Sequence, residues 1–516
     1  MVTNSRQRRE RTWWLWGWAA AAALGASCEL VLDVGAYRLV EDGSDAGLVE
    51  RDDGGSSSCV DASGLGGQGC WACPPVTPLQ FLDQCTASVC TPFDRARLTS
   101  LLADGGLPPL PDTGPGDAGP GDAGAPDSGF APPADGGARP TDAGIGCGSL
   151  PSPLIIIGSS AMKPFLARLA SRLGSATPPV TLVYQSVGSC VGIKALVQDL
   201  PATGGATFWD PTASDATNER TCALPSEGLT VDIGMSDVFA QSCGVQGLPA
   251  NVGDFTGPIQ TMALVVPVSS SQTETSAEAA YLSYGLGAAS GVAPWTDERY
   301  LFQRGGSSGT QSLIAASTLL PATRWRGTLT KNSDDMLAKL LAVPPDKAEH
   351  VLGILSTDYA DAYRDSLRVL AFQDYGQACA VYPDSTRAAL DKANVRSGQY
   401  SLWGPVHFFV RTNTSTGAIV SSAAAAVVGY LDGSRQLAGL DLVQYYSLRH
   451  LVPPCAMRVK RGKPLDGSPP VSALPAVSCG CYFDLLVSGQ TQCTRCSTAL
   501  DCPASAPSCS FGYCER

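Results

Sequence analysis

The chain has 516 residues, enough for more than one folded unit, with 44% hydrophobic residues, 16% charged residues and a formal net charge of -12. Proteins that bind nucleic acid or anionic membranes electrostatically need concentrated Lys and Arg, so this balance argues against both classes. The acidity is local, because residues 29–146 contain 18 Asp or Glu and 5 Lys or Arg, whereas residues 147–516 carry only about -2.

Residues 1–28 predict an export signal. Four arginines within the first 11 residues precede a Trp- and Ala-rich run at 13–26, which at about 14 residues is too short to span a bilayer. The run ends in a segment from Leu24 to Cys28 that resembles the lipobox of bacterial lipoproteins, with Leu24 one position farther from the cysteine than is usual. The resemblance implies a lipid anchor on Cys28 in the cell envelope, at the periplasm or the outer surface. An ordinary cleaved signal is the alternative.

The cysteine content also favours export. The chain has 19 Cys, and without Cys28 an even number remains, as expected where disulfides persist. The C-x-x-C pairs at 70–73 and 493–496 could each contribute half of a zinc site. The chain has only three His, however, and neither pair has a well-spaced second pair. We therefore predict disulfides, with no metal and no cofactor, and the sequence does not determine the pairing.

Two regions outside the core stand out by composition. Residues 29–103 form a small, Gly-rich, Cys-rich region that depends on disulfides for its shape. Residues 104–146 are dominated by Pro, Gly, Ala and Asp, which cannot offset chain entropy, and so predict a disordered linker. At the other end, seven Cys within residues 479–516 predict a disulfide-rich C-terminal knob.

Residues 147–478 show short apolar runs that alternate with segments of helical periodicity. This order predicts an α/β domain with largely parallel strands. Strands are predicted at 154–157, 180–184, 231–234, 262–268, 351–355 and 406–410, and helices at 164–173, 193–200 and 311–319.

Four Gly- and Ser-rich segments occur where a predicted strand gives way to a helix. Such turns expose backbone N–H groups and hydroxyls, and helix N-termini attract anions. One segment alone is ordinary turn chemistry. The four segments are 158–161, 188–190, 234–237 and 304–310.

In order and approximate spacing, these segments resemble the phosphate-binding periplasmic proteins of ABC transporters, in the type 2 periplasmic binding protein superfamily. The resemblance covers roughly residues 150–455. It implies a monomer with two α/β lobes, one from about 147–265 and 405–478 and the other from about 266–404. Two crossing hinge strands, near 262–268 and 404–410, would join them. It further implies phosphate uptake with an ABC permease, or phosphate sensing.

The resemblance also implies the binding residues. Asp237 would accept a hydrogen bond from the ligand, which favours phosphate because phosphate keeps a proton at neutral pH and sulfate does not. Gly306 stands where many family members have Asp, and Ala161 where they commonly have Thr, which leaves another oxyanion open. The implied ligand-binding residues are Ser160, Ala161, Met162, Ser189, Asp237, Arg304, Ser308, Gly309 and Thr310.

Two other functions remain open from the sequence. Residues 305–309 match G-x-S-x-G, the nucleophile pattern of α/β-hydrolases, and His350, His407, His450 and Asp384 follow in the chain. The third possibility is a non-transport binding or adhesion module with a degenerate cleft. Since Gly-Ser clusters match the pattern easily and no His lies in a recognisable triad loop, the sequence favours a binding protein that is not an enzyme.

Overall fold

The structure is a computed structural model that describes residues 70–71, 74–75, 77–111, 144–174, 179–210, 218–465 and 470–516. The export signal, Cys28 and most of the predicted linker lie outside the described residues. Within the described segments, no helix has both the length and the apolar character needed to cross a membrane.

The strands range in length from two residues to 16 residues. In chain order they are β1 (Pro153–Gly158), β2 (Thr181–Ser186), β3 (Gly205–Trp209), β4 (Glu219–Ala223), β5 (Ile233–Ser236), β6 (Val252–Pro267), β7 (Glu274–Ser276), β8 (Phe302–Gln303), β9 (Thr328–Leu329), β10 (Gly353–Ser356), β11 (Leu367–Val369), β12 (Ala371–Gln373), β13 (Trp403–Arg411), β14 (Val459–Lys460), β15 (Val471–Ser472), β16 (Ser508–Ser510) and β17 (Tyr513–Glu515).

Helices separate most of these strands. In chain order they are α1 (Pro78–Leu82), α2 (Lys163–Gly174), α3 (Ser189–Val197), α4 (Ala277–Leu286), α5 (Gly309–Thr318), α6 (Ser333–Leu341), α7 (Thr357–Ala362), α8 (Ala393–Ser397), α9 (Ser422–Asp432), α10 (Leu442–Ser447) and α11 (Gly480–Ser488).

A nine-stranded sheet runs through the core in the order β10-β6-β13-β5-β1-β2-β3-β4, and β11 also pairs with β6. The predicted α/β class is confirmed, but the expectation of largely parallel strands is wrong. Within the described part of this sheet, only β1 with β2 and β1 with β5 pair in parallel; two small separate sheets, β7 with β12 and β8 with β9, are also parallel. Strands β3 and β4 form an antiparallel edge, and β13 runs antiparallel to both β5 and β6 because the chain returns in the opposite direction.

Strand β1 is buried on both faces because its apolar residues alternate between two clusters. Ile156 belongs to a cluster with Leu166 and Leu169, which repeat at helical spacing on α2; we call this the α2 cluster. Ile157 points to the other face and packs with Ile193 of α3 in the α3 cluster. Helices therefore cover both faces of this part of the sheet, which is typical of α/β packing.

A third and larger apolar cluster, the α4 cluster, lies around the other end of β6. It contains Met262 to Val266 of β6 together with buried residues of α4, α5 and α6. Strand β6 pairs with β13 up to Thr261 and with β10 from Met262 onward. One continuous strand therefore connects the α2 and α3 clusters with the α4 cluster.

The residues after β13 pack in two different clusters. Leu451, which the sequence predicts in the first lobe with the rest of residues 405–478, lies in the α2 cluster. Val452 and Val459, however, pack in the α4 cluster with Val395. The chain therefore passes between the two packing regions a further time at 451–452, where Val452 exchanges backbone hydrogen bonds with Ile259.

The N-terminal region packs on the core. Phe81, Phe93 and Leu98 are buried in the α4 cluster. Residues 104–111, predicted as the start of the disordered linker, also pack there, because Leu110 lies against the α4 region and the Pro108 carbonyl accepts a hydrogen bond from Tyr281. Two leucines and three prolines at 107–111 supply the apolar surface for this packing.

The C-terminal knob is also attached to the core. Cys479 and Phe483 lie in the α4 cluster, and Asp484 pairs with the buried Arg396. The cysteines of the proposed zinc half-sites that the structure describes are disulfide-bonded, so they hold no free thiolate for a metal. The disulfides in the described part of the chain are 70–85, 90–379, 147–222, 190–243, 455–479, 481–493, 496–509 and 502–514.

Candidate functional site

Three of the four predicted turns meet at one edge of the sheet. Strands β1, β2 and β5 are neighbours and run parallel, so their carboxyl ends lie at the same edge. Ser159 and Ser160 follow β1, Ser189 follows β2 and Asp237 follows β5. The fourth turn, at 304–308, comes from the α4-cluster side and leads into α5.

Asp237 lies at the centre of this cluster. Its side chain accepts hydrogen bonds from Ser189 and, at 2.9 Å, from Ser159, while its own backbone N–H donates to the Ser189 hydroxyl at 3.4 Å. The residue is 1% exposed. Burial raises the pKa of its carboxyl above the ordinary value, and the two serine bonds and the charge of Arg304 oppose that shift.

Arg304 connects the two packing regions. Its Nη2 donates to the Ser160 hydroxyl at 3.1 Å and its Nη1 to the Ser333 hydroxyl at 3.0 Å. Those two hydroxyls are themselves 2.9 Å apart. The Nε of Arg304 is buried with no hydrogen-bond partner in the described residues. Burial lowers the pKa of the guanidinium to about 10, so it stays charged at neutral pH.

The helix start at Ser308 and Gly309 lies directly against the carboxylate. Ser308 caps α5 by accepting a hydrogen bond from the Gln311 N–H. A Cβ added to Gly309 would come within 1.7 Å of an Asp237 carboxylate oxygen and 2.3 Å of the Ser189 hydroxyl. Position 309 therefore has no space for a side chain, and the N-terminus of α5 approaches Asp237 closely.

The structure brings together six of the nine predicted residues: Ser160, Ser189, Asp237, Arg304, Ser308 and Gly309. Thr310 is buried in the first turn of α5. Ala161 and Met162 lie next to Ser160, but their N–H groups donate within the turn, to the hydroxyl and the carbonyl of Ser159. The Met162 side chain packs in the α2 cluster rather than toward Arg304.

Sequence reasoning missed Ser333. It is the first residue of α6, after Asn332, which caps the helix by accepting from the Asp335 N–H at 2.9 Å. An Asn followed by Ser-Asp-Asp is a recognisable helix start, so the helix was detectable. The contact with Arg304, 29 residues earlier, comes from tertiary packing.

We expect Ser333→Ala to lower the free energy of unfolding by about 1–3 kcal/mol, because a buried donor of Arg304 loses its acceptor. Urea denaturation measures this change. Ser415→Ala is the matched control, since Ser415 is exposed on a loop and only its backbone N–H has a hydrogen bond in the structure. A loss no larger than that of the control would show that the Arg304–Ser333 bond does not stabilise the fold.

The histidines considered for a hydrolase contact other groups. The Nδ1 atom of His407 lies 2.8 Å from Asp254, that of His350 lies 3.1 Å from the Pro294 carbonyl, and that of His450 lies 3.9 Å from Asp361. Ser307, the central serine of the G-x-S-x-G pattern, is exposed, and its carbonyl accepts from the Cys190 N–H at 3.2 Å. These contacts do not favour a nucleophile with an adjacent base.

No protein-family model and no curated protein matches the chain. Several solved structures are similar. One, from Clostridium perfringens, is described as a phosphate ABC transporter substrate-binding protein with bound phosphate (12% identity, 58% of this chain and 99% of that chain, TM-score 0.40). Another is an ABC-type phosphate transport receptor from Vibrio cholerae, with 16% identity over 59% of this chain and 100% of that chain and a TM-score of 0.38. A third is the reduced form of the OxyR regulatory domain from Pseudomonas aeruginosa, with 10% identity over 58% of this chain and 98% of that chain and a TM-score of 0.29.

Proposed function

We propose that this chain is an exported solute-binding protein, anchored through a lipid on Cys28, that binds phosphate or a similar oxyanion in a cleft between two lobes. The first lobe contains the α2 and α3 clusters, and the second contains the α4 cluster. The occupied cleft passes ligand to an ABC permease or reports it to a sensor. The protein performs no chemistry on its ligand.

The observation that carries this proposal is the bridge that Arg304 makes to Ser160. A buried guanidinium is costly unless charge and hydrogen bonds compensate it, and among the described residues only hydroxyls accept from its two Nη atoms. An oxyanion between Arg304 and the serines would supply the missing charge. Charge-assisted hydrogen bonds of this kind are about twice as strong as neutral ones.

The donors of such an anion would come from both lobes. Ser160 and Ser189 would donate hydroxyl hydrogen bonds from the first lobe, with the turn at 161–162 beside them. Arg304, Ser308 and the start of α5 at 309–310 would donate from the second. The N-terminus of α5 also favours negative charge through its dipole, as α6 does at Ser333.

Closure would occur about strands β6 and β13. Strand β6 changes partner at Thr261–Met262, beside the beginning of β13 at Trp403, and these adjacent strands would form the hinge. Opening would separate Arg304 from Ser160 and Gly309 from Asp237. Hinge motions of this kind use a few residues at element ends.

Isothermal calorimetry with phosphate, sulfate and a simple carboxylic ester tests the function. We expect saturable phosphate binding at one site per chain, weaker sulfate binding and no ester hydrolysis. Ester turnover would favour the hydrolase interpretation of residues 305–309. Heat changes indistinguishable from dilution for both anions would favour a binding or adhesion module with a degenerate cleft, and would contradict the proposal.

A further inference from the structure

Asp237 also lines a cavity that does not include Ser160 or Arg304 among its wall residues. Its empty space is about 260 Å³, counting the part open to solvent. Its apolar wall residues Val238, Leu313 and Trp403 all belong to the α4 cluster. The residues that matter for its chemistry are Asp237, Val238, Leu313, Ala316, Trp403 and Arg461.

Arg461 is a buried cation whose donors are largely unused. It is 7% exposed, and its Nε and Nη1 atoms have no hydrogen-bond partner in the segments that the structure describes. Its Nη2 makes one long bond of 3.4 Å to the Ser401 carbonyl. The guanidinium lies over the Trp403 ring at 4.5 Å, which orients it and partly compensates its charge.

No carboxylate among the described residues forms an ion pair with Arg461. Asp374 is the acid that influences it electrostatically, but Asp374 already accepts hydrogen bonds from the Tyr375 N–H and from Ser317. The comparison with Arg396 is instructive, since that buried guanidinium pairs with Asp484 and also donates to a backbone carbonyl. A buried charge left without such partners is strongly destabilising.

We propose that this cavity binds a small monovalent anion on the free N–H groups of Arg461. The lining offers one cation, and the rest of the wall is mainly apolar, from Val238, Leu313 and Ala316. A single charge can be balanced there without a shell of water, whereas a dianion would keep an uncompensated charge in an apolar site. Asp237, also on the wall, adds negative charge nearby and disfavours a dianion further.

The cation of this site differs from that of the proposed phosphate cleft, although Asp237 lines both sites. Arg461 donates to neither Ser160 nor Ser333, which are the partners of Arg304. An anion here would contact Leu313 of α5, Val238 after β5 and Trp403 of β13 at once. These residues belong to α5, the turn after β5 and the beginning of β13, so a bound anion should hold these three elements together.

Bromide is the probe for the test. Anomalous diffraction from crystals soaked in sodium bromide locates the ion, and halide NMR line broadening measures saturable binding in solution. The intact chain is compared with Arg461→Met, and Arg458→Met is the control because Arg458 is exposed three residues away. We expect an anomalous peak beside Arg461 in the intact chain and the control, and at least a tenfold loss of solution affinity for that site in Arg461→Met.

Three outcomes would overturn the proposal. They are no peak at Arg461, unchanged binding in Arg461→Met, and binding at crystal concentration only, with no saturable halide site in solution. If Arg461→Met does not fold, the position of the anomalous peak and the halide titration of the intact chain still test whether an anion binds at Arg461. If the intact chain binds bromide at Arg461 but does not bind phosphate, only the proposed function is contradicted.

Discussion

Replacing Arg304 by methionine is expected to weaken phosphate binding by roughly 30-fold to several thousand-fold, which corresponds to about 2–5 kcal/mol for truncating one partner of a buried, hydrogen-bonded charge pair. Arg304 is 7% exposed and supplies the positive charge that contacts both Ser160 and Ser333. Without it, the remaining donors are neutral hydroxyls and backbone N–H groups, which compensate an anion poorly.

The fold should survive this substitution. The hydroxyls of Ser160 and Ser333 lie 2.9 Å apart and can continue to bond each other, and methionine fills a buried space flexibly. Calorimetry with phosphate measures the affinity, and circular dichroism checks the fold. Arg299→Met is the control, because the Arg299 side chain is 81% exposed and forms its ion pair with Asp297, away from Ser160 and Ser333 in the contacts of the structure. Phosphate affinity within a factor of two of the unmodified chain would exclude Arg304 from the site.

The first half of the sheet was predictable because each element carries its own signal. The apolar run at 154–157 became β1, and the helical spacing at 164–173 became α2, each within one residue. The turns after β1, β2 and β5 were visible for the same reason, since glycine and serine mark them locally. Parallel pairing then brought Ser160, Ser189 and Asp237 to one edge.

The long strand β6 shows where local signals fail. The sequence predicted a strand only at 262–268, yet the strand begins at Val252. Residues 252–261 contain Gly253, Asp254, Gly257 and Pro258, which are all disfavoured in strands. They are extended because they pair with β13, about 150 residues later. Tertiary pairing overrides propensity there.

The packing of the terminal regions could not be predicted for a related reason. Composition identified residues 29–103 and 479–516 as Cys-rich, but not what they pack against. The disulfide from Cys90 to Cys379 spans 289 residues, and no spacing rule selects that pair from the many possible connectivities. The same holds for Ser333, whose position beside Arg304 depends on how α6 packs on the sheet.

Replacing Asp237 by asparagine is expected to reduce the preference for phosphate over sulfate by at least about 100-fold, because a site built to bond a ligand O–H rejects an analogue without it by roughly 10⁴–10⁵. The Asp237 carboxylate accepts from Ser159 and Ser189 and has further lone pairs for a ligand proton. Sulfate has no proton to donate, so the Asp237 carboxylate would face a sulfate oxygen without a hydrogen bond, which is unfavourable. An asparagine amide can turn its NH2 group toward sulfate and remove that penalty.

The pH dependence gives an independent check with a defined sign. Burial raises the pKa of Asp237 above its unfolded value, so between those two values the folded state binds more protons than the unfolded one. Stability of the ligand-free chain should therefore fall as pH rises through that interval, and Asp237→Asn should remove this slope. The control is Asp432→Asn, at the end of α9, whose side chain accepts from the Ser434 N–H on the surface.

Ligand discrimination should follow the same protonation. As pH falls through the folded pKa, Asp237 gains a proton and becomes a donor, so sulfate binding should strengthen relative to phosphate in the unmodified chain. In Asp237→Asn this change with pH should be absent. Calorimetric titrations of both anions at several pH values measure the ratio directly. If the ratio of phosphate to sulfate affinity varies with pH equally in both proteins, a group other than Asp237 accepts the hydrogen bond from the ligand proton. The role given to Asp237 would then be wrong.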